Sequence, residues 1–142
     1  MSAFLLDTNV ISELVKPRPE ARVIAFVEAT DESLLYLSAL TLGEIRRGVA
    51  SLPQARRRTM LEAWLDKDLR GRFRGRILAI DDEVADRWGL LTARASKMGI
   101  ALPVIDGLLA ATALQHNLTF VTRDTGQMPQ IGLAVYNPWE KN

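Results

Sequence analysis

The chain contains no cysteine and a single histidine, His116. The absence of cysteine excludes disulfide bonds, thiolate zinc sites and thiol nucleophiles, and it fits a protein of the reducing cytosol. His116 falls at the predicted end of a helix, where it would cap the last turn or lie at the surface rather than act as a general base. We therefore expect the chemistry of this chain to depend on carboxylates and other oxygen ligands.

Long hydrophobic runs are also absent. No apolar run approaches the roughly 20 residues that span a bilayer, and the N-terminus lacks the pattern of a signal peptide. We expect a cytoplasmic protein with no membrane partner. The 142 residues, 48% of them hydrophobic, are enough for one core, so we predict a single domain over residues 1–142. The net charge of +1 permits a nucleic-acid partner without requiring one.

Short apolar runs alternate with stretches of helical periodicity along the chain. The predicted strands cover residues 3–6, 34–37, 77–80, 119–122 and 134–136. The predicted helices cover residues 21–29, 41–49, 54–69, 82–98 and 104–116. This alternation predicts an α/β domain whose mainly parallel central sheet is flanked by helices on both faces. Ligands of such folds bind beyond the carboxyl ends of the strands.

Four acidic residues fall at such positions. Asp7 and Asp124 directly follow apolar runs, in FLLDTNV and TFVTRDT. Glu44 and Asp106 lie near the beginnings of helices, in LTLGEIRRG and LPVIDGLLAATAL. Taken singly, most of these acids could cap a helix or close a turn. Asp106 is the exception, since it interrupts an apolar face that we predict to be buried, where an unpaired carboxylate is costly.

Four converging carboxylates would repel one another and raise one another's pKa values. A divalent cation removes this repulsion, and oxygen-only ligands favour Mg²⁺ or Mn²⁺. We therefore predict a metal site in which a metal-activated water hydrolyses a phosphodiester bond. The predicted catalytic residues and metal ligands are Asp7, Glu44, Asp106 and Asp124. The sequence leaves open whether one or two ions bind.

The segments FLLDTNVISEL, SALTLGEIRRGV, LPVIDGLLAATAL and LTFVTRD resemble, in order and spacing, those of the PIN domain. The likeness is strongest to the VapC and FitB toxins of bacterial toxin–antitoxin pairs, and it covers nearly the whole chain. It implies a PIN-like fold and an endoribonuclease that depends on Mg²⁺ or Mn²⁺. It also implies a homodimer or toxin–antitoxin hetero-oligomer, silenced by a small cognate antitoxin. Operator DNA would be reached only through that antitoxin, with which the toxin co-represses its operon.

The resemblance assigns roles residue by residue. Asp7, Glu44 and Asp106 match three acids of the family, and Asp7 and Asp106 are the expected principal ligands. Thr8 and Asn9 match positions beside the site that support those ligands.

The fourth acid departs from the family pattern. Many relatives carry a further acid a few residues after the last motif, where this chain has Gln127 and Met128. Asp124 is the acid that remains to serve as the fourth ligand.

Basic residues suggest where RNA could bind. The segment LRGRFRGR, if extended, would present alternate arginines on one face with an aromatic ring able to stack on a base. A second basic region follows Glu44 and could flank the site. The predicted RNA-binding residues are Arg46, Arg47, Arg70, Arg72, Phe73 and Arg74. The first segment could equally be a solvated loop.

Two other functions fit parts of the pattern. A phosphoryl-transfer protein could use Asp7 as a Mg²⁺-assisted nucleophile, but such proteins place a second acid two residues later, where this chain has Asn9. A non-catalytic PIN-like module could keep the RNA or antitoxin surface without using the acids. The intact set of acids favours the nuclease.

Overall fold

The centre of the domain is a parallel sheet. A computed structural model describes residues 2–140, and within that range it has five strands. The strands are β1 (Phe4–Leu6), β2 (Leu35–Ser38), β3 (Ile77–Leu78), β4 (Thr119–Val121) and β5 (Val135–Tyr136). They lie in the order β3-β2-β1-β4-β5, and every neighbouring pair is parallel. The carboxyl ends of all five therefore share one side of the sheet, called here the carboxyl edge.

Helices connect successive strands. They are α1 (Thr8–Leu14), α2 (Ala21–Ala29), α3 (Ala39–Ala50), α4 (Arg56–Ala63), α5 (Arg70–Arg72), α6 (Asp82–Lys97) and α7 (Val104–Gln115). A π-helical turn (Trp64–Leu69) joins α4 to α5, and 3-10 turns cover Glu32–Leu34 and Met128–Ile131. Within residues 2–140, none of these helices has the length and apolar character that a membrane crossing requires.

Both faces of the sheet are covered, as the sequence predicts. Leu5 and Leu6 on β1 are fully buried, and the alternation of a strand points them to opposite faces. Leu5 packs in a cluster that includes Leu91 of α6 and Leu109 of α7. Leu6 packs in a second cluster built largely from helices α1, α2 and α3. A strand that is buried on both sides needs the continuous apolar run that β1 has.

Several predicted boundaries move for local reasons. The helix predicted from residue 41 begins at Ala39, because the Ser38 hydroxyl accepts a hydrogen bond from the Leu40 backbone N–H at 3.0 Å and caps it there. The helix predicted over residues 54–69 begins at Arg56 and continues to residue 69 without a break. Its hydrogen-bond spacing changes to that of a π-helix over Trp64–Leu69.

The arginine-rich segment before β3 does not have the extended conformation on which the predicted RNA-binding face depends. It begins with the short helix α5, and Phe73 is fully buried, so the prediction that this ring stacks on a base is wrong. Arg72 and Arg76 both pair with Glu32, at 2.9 and 3.2 Å. Because the segment leads into the beginning of β3, it lies at the amino edge of the sheet. Predicted RNA-binding residues Arg70, Arg72 and Arg74 are therefore on the opposite side from the carboxyl edge.

Replacement of Phe73 tests its role as a core residue. We expect Phe73→Ala to lower the free energy of unfolding by about 3–5 kcal/mol, because a fully buried ring is lost and a cavity remains. Phe73→Leu should cost about 1.5 kcal/mol or less, since most of the volume is kept. Denaturation in urea measures both. Weaker RNA binding by Phe73→Leu at unchanged stability would restore the stacking hypothesis.

Candidate active site

Asp7 joins β1 to α1. Its backbone N–H donates to the Val121 carbonyl of β4 at 2.9 Å, so its main chain still belongs to the sheet. Its Oδ1 accepts a hydrogen bond from the Thr8 backbone N–H at 2.7 Å and caps α1. Its Oδ2 accepts a hydrogen bond from the Thr122 hydroxyl at 2.8 Å. Asp7 is therefore a helix cap whose carboxylate is also held at the carboxyl edge.

Thr122 connects three parts of this edge. It follows β4, it is fully buried, and its hydroxyl donates to Asp7 Oδ2. The same oxygen accepts hydrogen bonds from Asn9 Nδ2 at 3.2 Å and from the Asp124 backbone N–H at 3.1 Å. Thr122 was not among the residues predicted from the sequence. The available signal was a hydroxyl at the end of a central strand, two residues before an acid.

Glu44 reaches the same edge from α3. The Thr8 hydroxyl, at the beginning of α1, donates to Glu44 Oε1 at 2.6 Å. The contact is possible because β1 and β2 are parallel neighbours, so the helices that follow them begin side by side. Thr8 and Asn9, both predicted to support the ligands, thus contact Glu44 and Thr122 respectively.

Asp106 and Asp124 lie at the outer side of the cluster. Asp106 is in the first turn of α7 and Asp124 follows β4, and both are exposed. The prediction that Asp106 interrupts a buried apolar face is wrong, because the preceding residues Val104 and Ile105 are 60% and 37% exposed. The buried face of α7 begins after Asp106, at Gly107.

The four acids interact with one another through their charges. Burial raises the pKa of Asp7 above its ordinary value, hydrogen bonds from Thr122 and Thr8 oppose this, and the charges of Glu44 and Asp106 raise it further. Partial desolvation of the Asp106 carboxylate raises its pKa as well, and the charges of Asp124 and Glu44 raise it further. Across residues 2–140, none of the four carboxylates forms a salt bridge with a lysine or arginine. Their mutual repulsion is therefore not balanced by a side chain.

This donor set suits a hard divalent cation by its chemistry. The carboxylates are oxygen ligands, two of them carry raised pKa values, and no basic side chain pairs with them. In the described part of the chain, no group of three or more Asp, Glu or His side chains is already arranged to hold an ion. Mg²⁺ typically binds through one or two carboxylates and keeps several waters, so a complete protein cage is not required.

Comparison with known proteins identifies the family. The PIN domain family matches residues 4–132, a range that contains all four acids. The chain belongs to the PIN-domain family. Toxin FitB of Neisseria gonorrhoeae is 42% identical over 135 residues, which cover 95% of this chain and 97% of that protein. VapC ribonuclease Y4jK of Sinorhizobium fredii is 40% identical over 136 residues, covering 96% and 97%.

Solved structures agree with this PIN assignment. FitAcB from Neisseria gonorrhoeae matches with a TM-score of 0.93 at 41% identity, covering 97% of this chain and 99% of that one. FitAB bound to an IR36 DNA fragment matches with a TM-score of 0.93 at 40% identity, covering 98% and 97%. The resemblance inferred from the sequence and the predicted α/β fold are therefore confirmed.

An apolar groove opens beside the acids of this PIN domain. It lies between α1, α3 and α4, has a volume of about 310 Å³, and includes Thr8 and Glu44 in its lining. Its apolar wall continues into a second hollow of about 550 Å³, which contains Met60 and Trp64. Met60 is 64% exposed, so this surface is open to a binding partner.

The remaining predicted residues on α3 and α7 are Arg46, Arg47 and His116. Arg46 is half-buried on α3 and donates to Asp66, whereas Arg47 is exposed. His116 is the residue at which α7 ends, at the far end of the helix from Asp106. It therefore lies away from the carboxylates, as expected for a residue without a catalytic role.

Thermal unfolding with and without Mn²⁺ tests whether these acids bind a metal ion. Folding raises the pKa values of Asp7 and Asp106. At a pH between the unfolded and the folded pKa of each group, the folded metal-free protein therefore binds more protons than the unfolded chain. These two groups therefore destabilise the fold as the pH rises through their raised pKa values. At neutral pH, Mn²⁺ at ten times its Kd should raise stability by about 1.4 kcal/mol, or a few degrees in Tm.

The increment should shrink as the pH falls through those pKa values, because protons then compete for the ligands. Asp106→Asn should reduce it strongly, while Asp86→Asn, an exposed acid on α6, should leave it unchanged. An equal increment in both variants at neutral pH would contradict this site.

Thr122→Val tests the hydrogen-bond network. The isosteric change removes the hydroxyl that Asp7, Asn9 and Asp124 share, so we expect a loss of about 1–3 kcal/mol in the free energy of unfolding. Thr122→Ser keeps the hydroxyl and should lose less. Urea denaturation of the two variants measures the difference, and equal stabilities would show that the network contributes little.

Proposed function

We propose that this chain is a divalent-metal-dependent endoribonuclease and the toxin of a toxin–antitoxin pair. The observation that carries the proposal is the grouping of Asp7, Glu44, Asp106 and Asp124 at the carboxyl edge without a basic partner. The names of the relatives agree with it, since one is a toxin and another a VapC ribonuclease. The RNA substrate of such an enzyme would be met in the cytoplasm.

The proposed ligands of Mg²⁺ or Mn²⁺ are these four acids, with Asp7 and Asp106 foremost. When bound, the cation supplies charge neutralisation at the phosphate and a source of hydroxide at neutral pH. The chain's own residues prepare the ligands. The Thr8 backbone and the Thr122 hydroxyl orient the two oxygens of Asp7, and the Thr8 hydroxyl orients Glu44. This preorganisation lowers the cost of ordering the site when substrate arrives.

A small cognate antitoxin is the proposed protein partner. The solved structures FitAB bound to an IR36 DNA fragment and FitAcB are 40% and 41% identical to this chain. In this chain, the apolar groove that begins at Glu44 is the surface that an antitoxin segment would fill, and it would thereby cover the acids. Operator DNA would be reached through the antitoxin. The chain itself would form a homodimer or a hetero-oligomer with the antitoxin.

The alternative functions have less support. A phosphoryl-transfer protein that uses Asp7 as its nucleophile needs a second acid two residues later as general acid and base. Asn9, at the position of the missing acid, donates to Thr122 and cannot act as a general acid or base. A purely binding module would have no need for carboxylates that repel one another.

RNA cleavage tests the proposal. The purified chain, free of antitoxin, is incubated with total RNA and Mg²⁺ or Mn²⁺, alongside samples with EDTA. We expect discrete cuts that EDTA abolishes. Asp7→Asn and Asp106→Asn should each lower the rate at least a hundredfold, because each removes a charge that holds the ion. Asp86→Asn should cut like the wild type.

Two results would contradict the proposal. Cleavage that persists in both Asp7→Asn and Asp106→Asn would place the activity elsewhere or in a contaminant. The absence of cuts in several RNA pools, despite measured Mn²⁺ binding, would favour the non-catalytic module.

A further inference from the structure

Arg123 occupies an unusual position at the carboxyl edge. It stands between two residues of the site, Thr122 and Asp124, and its side chain is exposed. Its backbone N–H donates to Asn9 Oδ1 at 3.4 Å, and its carbonyl accepts a hydrogen bond from Asn137 Nδ2 at 3.1 Å. The main chain of a cationic residue is thus fixed directly beside the acids.

The guanidinium group is held by an aromatic ring. Arg123 Cζ lies 5.4 Å from the centroid of the Trp139 ring, within the range of a cation–π contact. Trp139 is itself anchored, since its backbone N–H donates to Asn137 Oδ1 at 2.9 Å and its carbonyl accepts from Arg22 at 3.0 Å. The ring also packs against the second core cluster. The orientation of Arg123 is therefore set by the C-terminal segment.

This contact leaves the charge of Arg123 available. Lys16 pairs with Glu13 at 2.9 Å and Arg46 pairs with Asp66, so these two cations are already engaged. Glu13 also feels the charge of Arg123, but no salt bridge joins them. Within residues 2–140, the Arg123 side chain has no hydrogen-bond or salt-bridge partner beyond the ring contact. A guanidinium over a ring keeps its N–H donors in the plane, where a phosphate can approach.

We propose that Arg123 binds a backbone phosphate of the RNA strand beside the carboxylates, and that Trp139 and Asn137 position it there. This inference rests on the proposed ribonuclease function. A fixed cation beside the acids attracts the polyanionic strand and positions its phosphates next to them. Because Trp139 holds the guanidinium, Arg123 does not fold back onto Asp124, and little side-chain entropy remains to be lost when RNA binds.

Binding without cleavage isolates this contact. A fluorescently labelled single-stranded RNA is titrated in EDTA with full-length Asp106→Asn protein, alone and with Arg123→Ala or Arg123→Lys added. The matched control is Arg74→Ala, which removes the same charge from an exposed residue at the amino edge. Anisotropy at several salt concentrations gives the affinity and its salt dependence.

We expect Arg123→Ala to weaken binding about tenfold, the loss of one charge-assisted phosphate contact. The slope of log affinity against log salt should fall in magnitude by about 0.7. Arg123→Lys should recover part of the affinity, since it keeps the charge but not the planar fork. The RNA affinity of Arg74→Ala should stay within twofold of the affinity of the parent.

Trp139 variants test the positioning role. Trp139→Phe keeps a ring and should bind RNA nearly as well as the parent, whereas Trp139→Leu should weaken binding several-fold. In the Asp106 wild-type background, the Mn²⁺-induced increase in Tm should be the same for both. A purely structural role would instead lower RNA and metal binding together, and would overturn this part of the proposal.

The outcomes separate this inference from the proposed function. Equal RNA binding by Arg123→Ala and Arg74→Ala would overturn the inference even if the wild type cleaves RNA. A specific deficit for Arg123→Ala would support it even if no metal-dependent cleavage were found. If Arg123→Ala binds RNA normally but is no longer inhibited by an antitoxin, the residue serves a protein partner and the inference is wrong.

Discussion

The hydrogen bond from the Thr122 hydroxyl to Asp7 Oδ2 connects the carboxyl ends of the central strand β1 and its neighbour β4. It exists because β1 and β4 run parallel in a register that pairs Leu6 with Val121, so the next residue of each strand emerges at the same edge. Helix α1 begins directly after Asp7, and Asp124 follows two residues after Thr122. The positions of Glu44 and Asp106 depend on the same parallel arrangement, because along the chain α3 follows β2 and α7 precedes β4.

The fold tolerates an electrostatic conflict at this edge. Burial and neighbouring negative charge raise the pKa values of Asp7 and Asp106, so the metal-free domain carries carboxylates that would be more stable apart. The hydrophobic clusters on the two faces of the sheet stabilise the fold and offset this electrostatic cost. Structural acids elsewhere behave differently. Glu13 and Glu32 pair with cations, which lower their pKa values.

Much of this arrangement could be predicted from the sequence, because it depends on periodicity. Apolar runs that end in an acid reveal strand ends, and parallel strands share an edge, so Asp7 and Asp124 could be located without coordinates. The position of Phe73 could not, since its flanking glycines suggested a loop. Burial of its ring depends on packing in the second core cluster, whose members include Leu6 and Val121, which are distant in the sequence. Thr122 was missed because its role comes from three hydrogen bonds, two of them to residues more than 100 positions away.

The exposure of Asp106 was misjudged for a related reason. Helical periodicity identifies a face but not the point at which a helix enters the core, and the first turn of α7 projects beyond the sheet into solvent. For a metal ligand this position is favourable, because an exposed carboxylate can turn toward an ion at little cost. The contact between Trp139 and Arg123 could not be predicted either, because no local sequence pattern indicates it.

Calorimetric titration of the purified chain with Mn²⁺ at neutral pH is the most direct test that these acids form a metal site. We expect saturable binding by the wild type, at least tenfold weaker binding by Asp7→Asn and by Asp106→Asn, and unchanged binding by Asp86→Asn. Wild-type affinity in both site variants, or no binding by the wild type, would contradict the assignment of the carboxyl edge as a metal centre.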